Sequence, residues 1–384
     1  MDLTELETPA LLLDRTRLDR NIARMREHVT QLGVSLRPHV KTAKSMDVVS
    51  RALEGPPGSV DHRFGGITVS TLKEAEYFIS HGVTDILYAV GIAPNKLDHV
   101  AELRRHGADV TVLLDSVDAA DMLAAKGEAL GMQFPALIEV DCDGHRSGIQ
   151  PGDPRLLAIG ARLHAREGTS MRGVMTHAGD SYNCADLEAI RKMAERESNA
   201  VVECAKSLAA VGVPCPIVSV GSTPTVTCAQ RMNGVTEVRA GVYMFFDLVM
   251  AGLGVCSLDD IALSVLTSVI GHQQEKNWII TDAGWMALSR DRGTASQCVD
   301  QGYGVVCDLA GRPIDDLIVV STNQEHGIVS NRDGKPVDMN RFALGTLLRI
   351  LPNHACATAA QYPEYYVITG EPVVEAVWPR FSGW

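Results

Sequence analysis

The feature that most constrains this chain is an alternation running from residue 34 to residue 241. Short apolar or β-branched runs recur eight times: Val34–Leu36, Gly66–Ser70, Asp85–Val90, Val110–Asp115, Pro135–Asp141, Arg172–His177, Ile217–Gly221 and Thr236–Gly241. Between most of them lie segments of helical length with apolar residues on one face, such as Leu72–His81 before Gly82 and Lys96–His106 before Gly107. The clearest helix comes first, where Leu18, Ile22, Met25, Val29 and Leu32 alternate spacings of four and three and then stop at Gly33. Eight β/α repeats over about 225 residues match a closed parallel (β/α)8 barrel. A doubly wound open sheet is the alternative. The weakest unit follows Gly221, where little helical pattern is present.

Beyond about residue 250 the rhythm changes. The runs "ALSVLTSVIGH", "NWIITDAG", "LIVVST", "LGTLLRILP" and "YYVIT" are short, β-branched and separated by turn residues, which predicts a mainly antiparallel β domain. The boundaries are 16–250 for the barrel and 251–384 for the β domain. No low-complexity linker marks the join, so close packing of the two parts is expected.

Composition narrows the partners. The net charge of −12 leaves no domain-wide basic field for nucleic acid or anionic lipid. The N-terminus carries acids where a secretory signal carries bases, and no apolar run approaches the roughly 18 residues of a membrane span. A cytoplasmic enzyme is the expectation. Nine cysteines without a C-x-x-C pair argue for reduced thiols. Cys204, Cys215 and Cys307 are read as small buried hydrophobes.

Barrel active sites sit at the carboxyl ends of the strands, which makes the strand ends informative. Lys41 falls after the first strand, and Thr68 and Ser70 end the second. "DCDGHRSG" puts Arg146 past the fifth, and "THAGDSY" puts His177 and Tyr182 at the sixth. "VGSTPT" puts Gly221, Ser222 and Thr223 at the seventh, and "AGVYMFFD" puts Tyr243 after the eighth. Singly each has a bland reading: a turn, a solvated cation, a half-buried packing residue. Together they describe a phosphate cup of glycine and hydroxyls opposite a lysine able to form a Schiff base with an aldehyde cofactor.

"TPALLLD", "RPHVKTAKS", "DGHRSG", "VGSTPT", "EVRAGVY" and "DAGW" together resemble the fold-type III pyridoxal-phosphate enzymes, in the branch containing D-serine dehydratase and D-threonine aldolase. The resemblance spans nearly the whole chain. It implies an alanine-racemase-like barrel, with residues 1–15 packing on the β domain. It implies Lys41 as the Schiff-base lysine and Arg146 as the partner of the pyridine nitrogen. Gly221, Ser222, Thr223 and Tyr243 would hold the phosphate, and His177 and Tyr182 would line the cofactor. It further implies that "LPNHACAT" supplies metal ligands, His354 and Cys356, which on an extended strand would point to one face. Without the family, that pair reads as core packing. Imidazole plus thiolate suits Zn2+, with Mn2+ or another divalent metal as alternatives.

The implied reaction is elimination of water from a D-3-hydroxy amino acid, 3-hydroxyaspartate or serine, with Lys41 taking the α-proton and the metal assisting departure of the β-hydroxyl. A metal-dependent aldolase giving glycine and an aldehyde is the alternative, and Cys356 speaks against it. A racemase lacks an assignable second base, and a non-catalytic pyridoxal-phosphate carrier would lack the β domain. Arg290 and Arg292 are candidates for a substrate β-carboxylate, and Glu325 and His326 for further active-site groups, each weighed against a surface role. A homodimer is expected from the family.

Overall fold

The computed structural model describes residues 1–54 and 65–384. The chain divides into two compact units: a barrel unit of Met25–Lys41, Val48–Gly241 and Gly383–Trp384, and a β unit of Met1–Arg24, Thr42–Asp47 and Val242–Ser382. Strand β1 (Ala10–Asp14) belongs to the β unit.

The barrel unit holds eight parallel strands: β2 (Ser35–Pro38), β3 (Ile67–Val69), β4 (Asp85–Gly91), β5 (Asp109–Leu114), β6 (Phe134–Val140), β7 (Thr169–Thr176), β8 (Ile217–Val220) and β9 (Glu237–Ala240). They follow chain order around the sheet, with β9 returning to pair with β2. Closure between β2 and β3 rests on the parallel bridge His39–Thr68, where Val40 N donates to Thr68 O at 2.9 Å. Each of the eight strand-like runs in the sequence becomes one of these strands, since strands covered on both faces are predominantly apolar or β-branched. All seven residues of β6 are buried. Leu18, Ile22, Met25 and Val29 form the buried stripe of the helix Arg15–Leu32. After Gly221 the chain makes only a six-residue helix, Thr223–Cys228, as the weak pattern there foretold.

In the β unit, β10 (Leu263–Gln273), β11 (Trp278–Thr281), β12 (Val305–Cys307), β13 (Pro313–Thr322), β14 (Gly327–Asn331) and β15 (Leu347–Leu351) close into an antiparallel ring, because β11 pairs with both β14 and β10. β1 extends the sheet from β10, followed by β16 (Glu364–Ile368) and β17 (Ala376–Pro379). Among the described residues, β1 with β16 is the one parallel pairing of these strands. The core along β1 and β10 gathers Leu3, Ala10, Leu12, Leu266 and Ile368.

Thr42–Asp47 is tied into this unit by one side chain and one backbone amide from the far end of the sequence. Tyr365 Oη donates to Ala43 O at 2.6 Å, and Phe381 N donates to Lys44 O at 3.1 Å. Among the described residues every cysteine is a free thiol; Cys204 and Cys307 are buried and Cys215 half-buried. No described helix is long and apolar enough to cross a membrane.

Candidate functional site

On the barrel, the chain leaves β2 through His39, Val40 and Lys41. His39 lies half-buried, with Nε2 at 3.4 Å from Ser70 Oγ and Nδ1 at 3.5 Å from Lys41 N. Thr68 is fully buried in β3. Lys41 itself is exposed, and no ion pair joins it to a carboxylate among the described residues. His177 directly follows β7. Its Nδ1 donates to Gly221 O at 2.8 Å, which fixes the tautomer and leaves Nε2 with its lone pair. The Tyr182 ring lies 6.4 Å from it at 43°.

The electrostatics of this rim oppose those of the chain. Burial pushes His177 down to about 4, and the positive charges of Lys41, Arg239 and Arg146 push the same way, against the Gly221 carbonyl. His39 is held well below the usual histidine value, first by burial and then by Lys41 and Arg239. Both imidazoles are therefore neutral near pH 7. Arg239, on β9, is buried, and its guanidinium donates to Ser219 Oγ and Thr176 O, each at 2.5 Å. Arg146 is largely exposed, 4.0 Å from Glu139.

The turn after β8 differs in detail from the simple phosphate-cup expectation. Gly221 has φ +136°, and a Cβ there would lie 2.2 Å from Arg239 O, so only glycine fits. Its N–H, however, is turned inward to Glu197 Oε1 at 3.0 Å, and that of Ser222 goes to Thr225 Oγ1 at 3.1 Å. Gly221 thus supplies close approach of backbones and not a free donor. Ser222 Oγ meets Ser181 Oγ at 2.9 Å, and Ser222 and Thr223 are both buried. Glu197 Oε1 also accepts from Ala178 N at 2.9 Å, so one buried carboxylate clasps the loops after β7 and β8. Burial raises its pKa.

In the β unit, His354 and Cys356 converge, though not on an extended strand. His354 is the extended residue that caps the short helix Ala355–Ala359, and Cys356 lies in that helix's first turn. The turn folds the thiol back to within hydrogen-bonding reach of the imidazole. His354 Nδ1 lies 2.6 Å from Asp291 Oδ2. Cys356 Sγ lies 2.9 Å from Thr42 Oγ1, and Asp247 Oδ2 accepts from Ala355 N at 2.9 Å. No cluster of three or more His, Cys, Asp or Glu of metal-holding geometry occurs among the described residues, so the pair would leave the remaining coordination positions open.

Other candidates disperse. Tyr243 is fully buried in the turn Val242–Met244, in the β unit. Glu325 and His326 lie exposed at the β13–β14 hairpin turn, with no bond to His354 or Cys356. Arg292 is neutralised by Asp300 at 2.6 Å and stacks on Tyr303, whereas Arg290 stacks on Trp285. Sequence reasoning passed over His39 and Arg239, although they sat inside the quoted motifs "RPHVKTAKS" and "EVRAGVY", and over Asp291, which stands between the two arginine candidates in "SRDRGTA". Glu197 had no signal, since a glutamate in "AERESN" reads as solvated helix.

A parallel eight-strand barrel joined to an antiparallel β unit, with a lysine after the first barrel strand, defines the alanine-racemase fold. Residues 13–249 match the family described as "Alanine racemase, N-terminal domain", and residues 262–368 match the "Putative serine dehydratase domain". A D-threo-3-hydroxyaspartate dehydratase of Delftia sp. is 54% identical over 100% of this chain and 99% of its own. Solved structures of a dehydratase of that name include a histidine-to-alanine variant (53% identity, TM-score 0.95, covering 100% of this chain and 97% of that one). A cysteine-to-alanine variant in metal-free form is 52% identical at TM-score 0.95, with full coverage of both chains. A 3-hydroxy-D-aspartate aldolase of Paracoccus denitrificans is 28% identical over 99% of this chain and 92% of its own. The chain belongs to the alanine-racemase-like family of pyridoxal-phosphate enzymes, in the branch of the D-3-hydroxy amino acid dehydratases.

Proposed function

We propose that this chain is a pyridoxal-phosphate-dependent, metal-assisted dehydratase acting on D-threo-3-hydroxyaspartate, with oxaloacetate and ammonia as products. D-serine, giving pyruvate and ammonia, is the lesser substrate in this reading. The observation that carries it is the convergence of His354 and Cys356 at the start of one helical turn. The histidine and cysteine changed in the two dehydratase variants stand two positions apart as well, and the cysteine variant is described in a metal-free form.

The barrel rim suits pyridoxal phosphate. Lys41, Arg146 and Arg239 create a positive field in an otherwise acidic chain, which favours a dianionic phosphate, and the neutral His177 ring offers an uncharged flat face. The residues that would hold it are Lys41 at the aldehyde carbon, Arg146 at the ring nitrogen, His177 and Tyr182 along the ring, and Gly221, Ser222 and Thr223 at the phosphate. When bound, the cofactor supplies an electron sink that acidifies the substrate Cα–H. Lys41 Nζ is the base that receives this proton. An exposed amine without a carboxylate partner among the described residues has the freedom the task needs. Neutral His177, its Nδ1–H committed to Gly221 O, holds its ring orientation without competing for the proton.

His354 and Cys356 are the metal ligands in this reading, and imidazole with thiolate favours zinc. Such an ion supplies Lewis acidity toward a hydroxyl leaving group. The net reaction breaks Cα–H and Cβ–O. The released 2-amino-2-enoate tautomerises to an imine, and water hydrolyses this to the 2-oxo acid and ammonia, restoring the water lost.

The aldolase relative supports a second reading, in which Cα–Cβ breaks to give glycine and glyoxylate. Product analysis by NMR after incubating zinc-supplemented protein with D-threo-3-hydroxyaspartate separates the two. Oxaloacetate, or pyruvate from its decarboxylation, is expected together with ammonia; glycine with glyoxylate would overturn the dehydratase reading.

A further inference from the structure

The proposed metal pair is short of ligands, so its affinity depends on how rigidly the two side chains are held. Three contacts in the β unit act on the pair. Asp247 accepts from the backbone N–H of Ala355, between the two residues, and Thr42 Oγ1 contacts the Cys356 sulfur. The third contact fixes the imidazole. Asp291 Oδ2 lies 2.6 Å from His354 Nδ1, a link between residues 63 positions apart and therefore built by the fold and not by local chain geometry. The Asp291 backbone is itself held, its N–H donating to Ser289 Oγ at 3.2 Å.

A carboxylate only accepts, so Nδ1 must carry the hydrogen that lies between the two groups. In the neutral ring that coordinates a cation, the lone pair is then on Nε2. The bond to Asp291 thus keeps a hydrogen on Nδ1, so that Nε2 is the nitrogen left to bind an ion, and the ring plane is set by the same bond. Without it, the half-exposed ring would sample both tautomers and several χ2 values.

We propose that Asp291 is a positioning residue for metal capture: it holds His354 by Nδ1 so that Nε2 is presented, beside Cys356, as the ligand atom. This rests on the reading of His354 and Cys356 as the metal ligands. Outer carboxylates of this kind change metal affinity by about 10–100-fold in characterised sites. Asp291 stands between Arg290 and Arg292, which are directed elsewhere, onto Trp285 and toward Asp300. The acidic residue of "SRDRGTA", not its arginines, is the one that joins the site.

The test is zinc affinity of the cofactor-loaded protein, stripped of metal and titrated in competition with a chromophoric chelator. Wild type, Asp291→Asn, Asp291→Ala and His354→Ala are compared. The expected order is wild type tightest, Asp291→Asn intermediate because its carboxamide oxygen still accepts from Nδ1, and Asp291→Ala weaker by about 10–100-fold. The metal-free melting temperature and the visible spectrum of the bound cofactor should stay at wild-type values in both Asp291 variants. Zinc affinity within twofold of wild type in Asp291→Ala, while His354→Ala loses it, would overturn the inference and leave the ligand reading intact. Unchanged affinity in His354→Ala would overturn both. A loss in Asp291→Ala matched by a lower metal-free melting temperature would assign Asp291 a merely structural role and also refute the proposal.

Discussion

Replacing Glu197 should separate two roles that a buried carboxylate combines. Its Oε1 accepts from Ala178 N at 2.9 Å and Gly221 N at 3.0 Å, and both N–H groups are in the buried interior behind the rim. In Glu197→Ala these two amides lose their acceptor. An unsatisfied buried donor costs about 1–3 kcal/mol, so the pair costs roughly 2–6 kcal/mol. At about 2–4 °C per kcal/mol for a unit of this size, the melting temperature should fall by roughly 4–24 °C. Glu197→Gln keeps a carbonyl oxygen able to accept both bonds and removes the charge.

The pH dependence carries the sharper prediction. Burial raises the Glu197 pKa above its ordinary value near 4.5, so between that value and the raised one the folded state binds more protons than the unfolded chain. Stability from this group is then lost as pH rises through the window. Glu197→Gln has no such loss. Its melting temperature relative to wild type should climb as pH increases from about 4.5, while Glu197→Ala stays below both. The assay is thermal melting of the three proteins across pH, with retention of pyridoxal phosphate by equilibrium dialysis as the second readout. If Glu197→Ala melts within about 2 °C of wild type, the clasp carries no energy and the reasoning fails.

Two further outcomes follow from the same geometry. His177 should titrate near 4 in the NMR spectrum, and because its folded pKa is depressed it should withdraw stability as pH falls from 6.5 toward 4; a midpoint above 6 would contradict the neutral-ring assignment. Cys356→Asp exchanges a soft donor for a hard one, so the protein should lose zinc preference and gain response to manganese or magnesium, measured as metal-dependent turnover. Unaltered zinc preference would remove the thiolate from the ligand set.

What was legible in the sequence was whatever local chain geometry determines. A glycine at the end of β8 is required because Arg239 O lies where a Cβ would be, and a lysine after β2 is placed by strand periodicity alone. The eight strands read correctly because each is a short apolar or β-branched run set in a regular β/α spacing, even where a strand such as β9 carries Glu237 and Arg239. β12, three residues long, was missed while the equally short β3 was read, because β3 is framed by the β/α alternation and β12 stands outside any such rhythm. The spacing of His354 and Cys356 was seen, but its geometry was misjudged: i and i+2 share a face on a strand, and here a capping residue followed by a helical turn brings them together. The supporting shell could not be read at all. Asp291 and His354 are 63 positions apart, Thr42 and Cys356 314, and only the assembled β unit makes them neighbours.

The distribution of charge shows why those supporting residues matter. An acidic chain with net charge −12 has to keep a cationic rim without dissipating it in ion pairs. Arg239 is the extreme case, a buried guanidinium whose charged form burial opposes and Glu237, Glu197 and Glu139 sustain. These carboxylates belong to three different elements: Glu237 on β9, Glu139 on β6, and Glu197 on the helix Leu187–Ala210. Each is already engaged: Glu237 with Arg37 at 2.6 Å, Glu139 with Ser147 at 3.0 Å, and Glu197 with the two loop amides. The guanidinium is therefore supported by the field of several carboxylates while its own hydrogen bonds go to Ser219 and to Thr176 O. That arrangement leaves its positive charge felt at His177 and His39, where it adds to burial and to Lys41 in favouring the neutral rings. In the proposed reading, a rim with fixed cations and neutral imidazoles would suit an anionic, aromatic ligand without rearrangement of its charges.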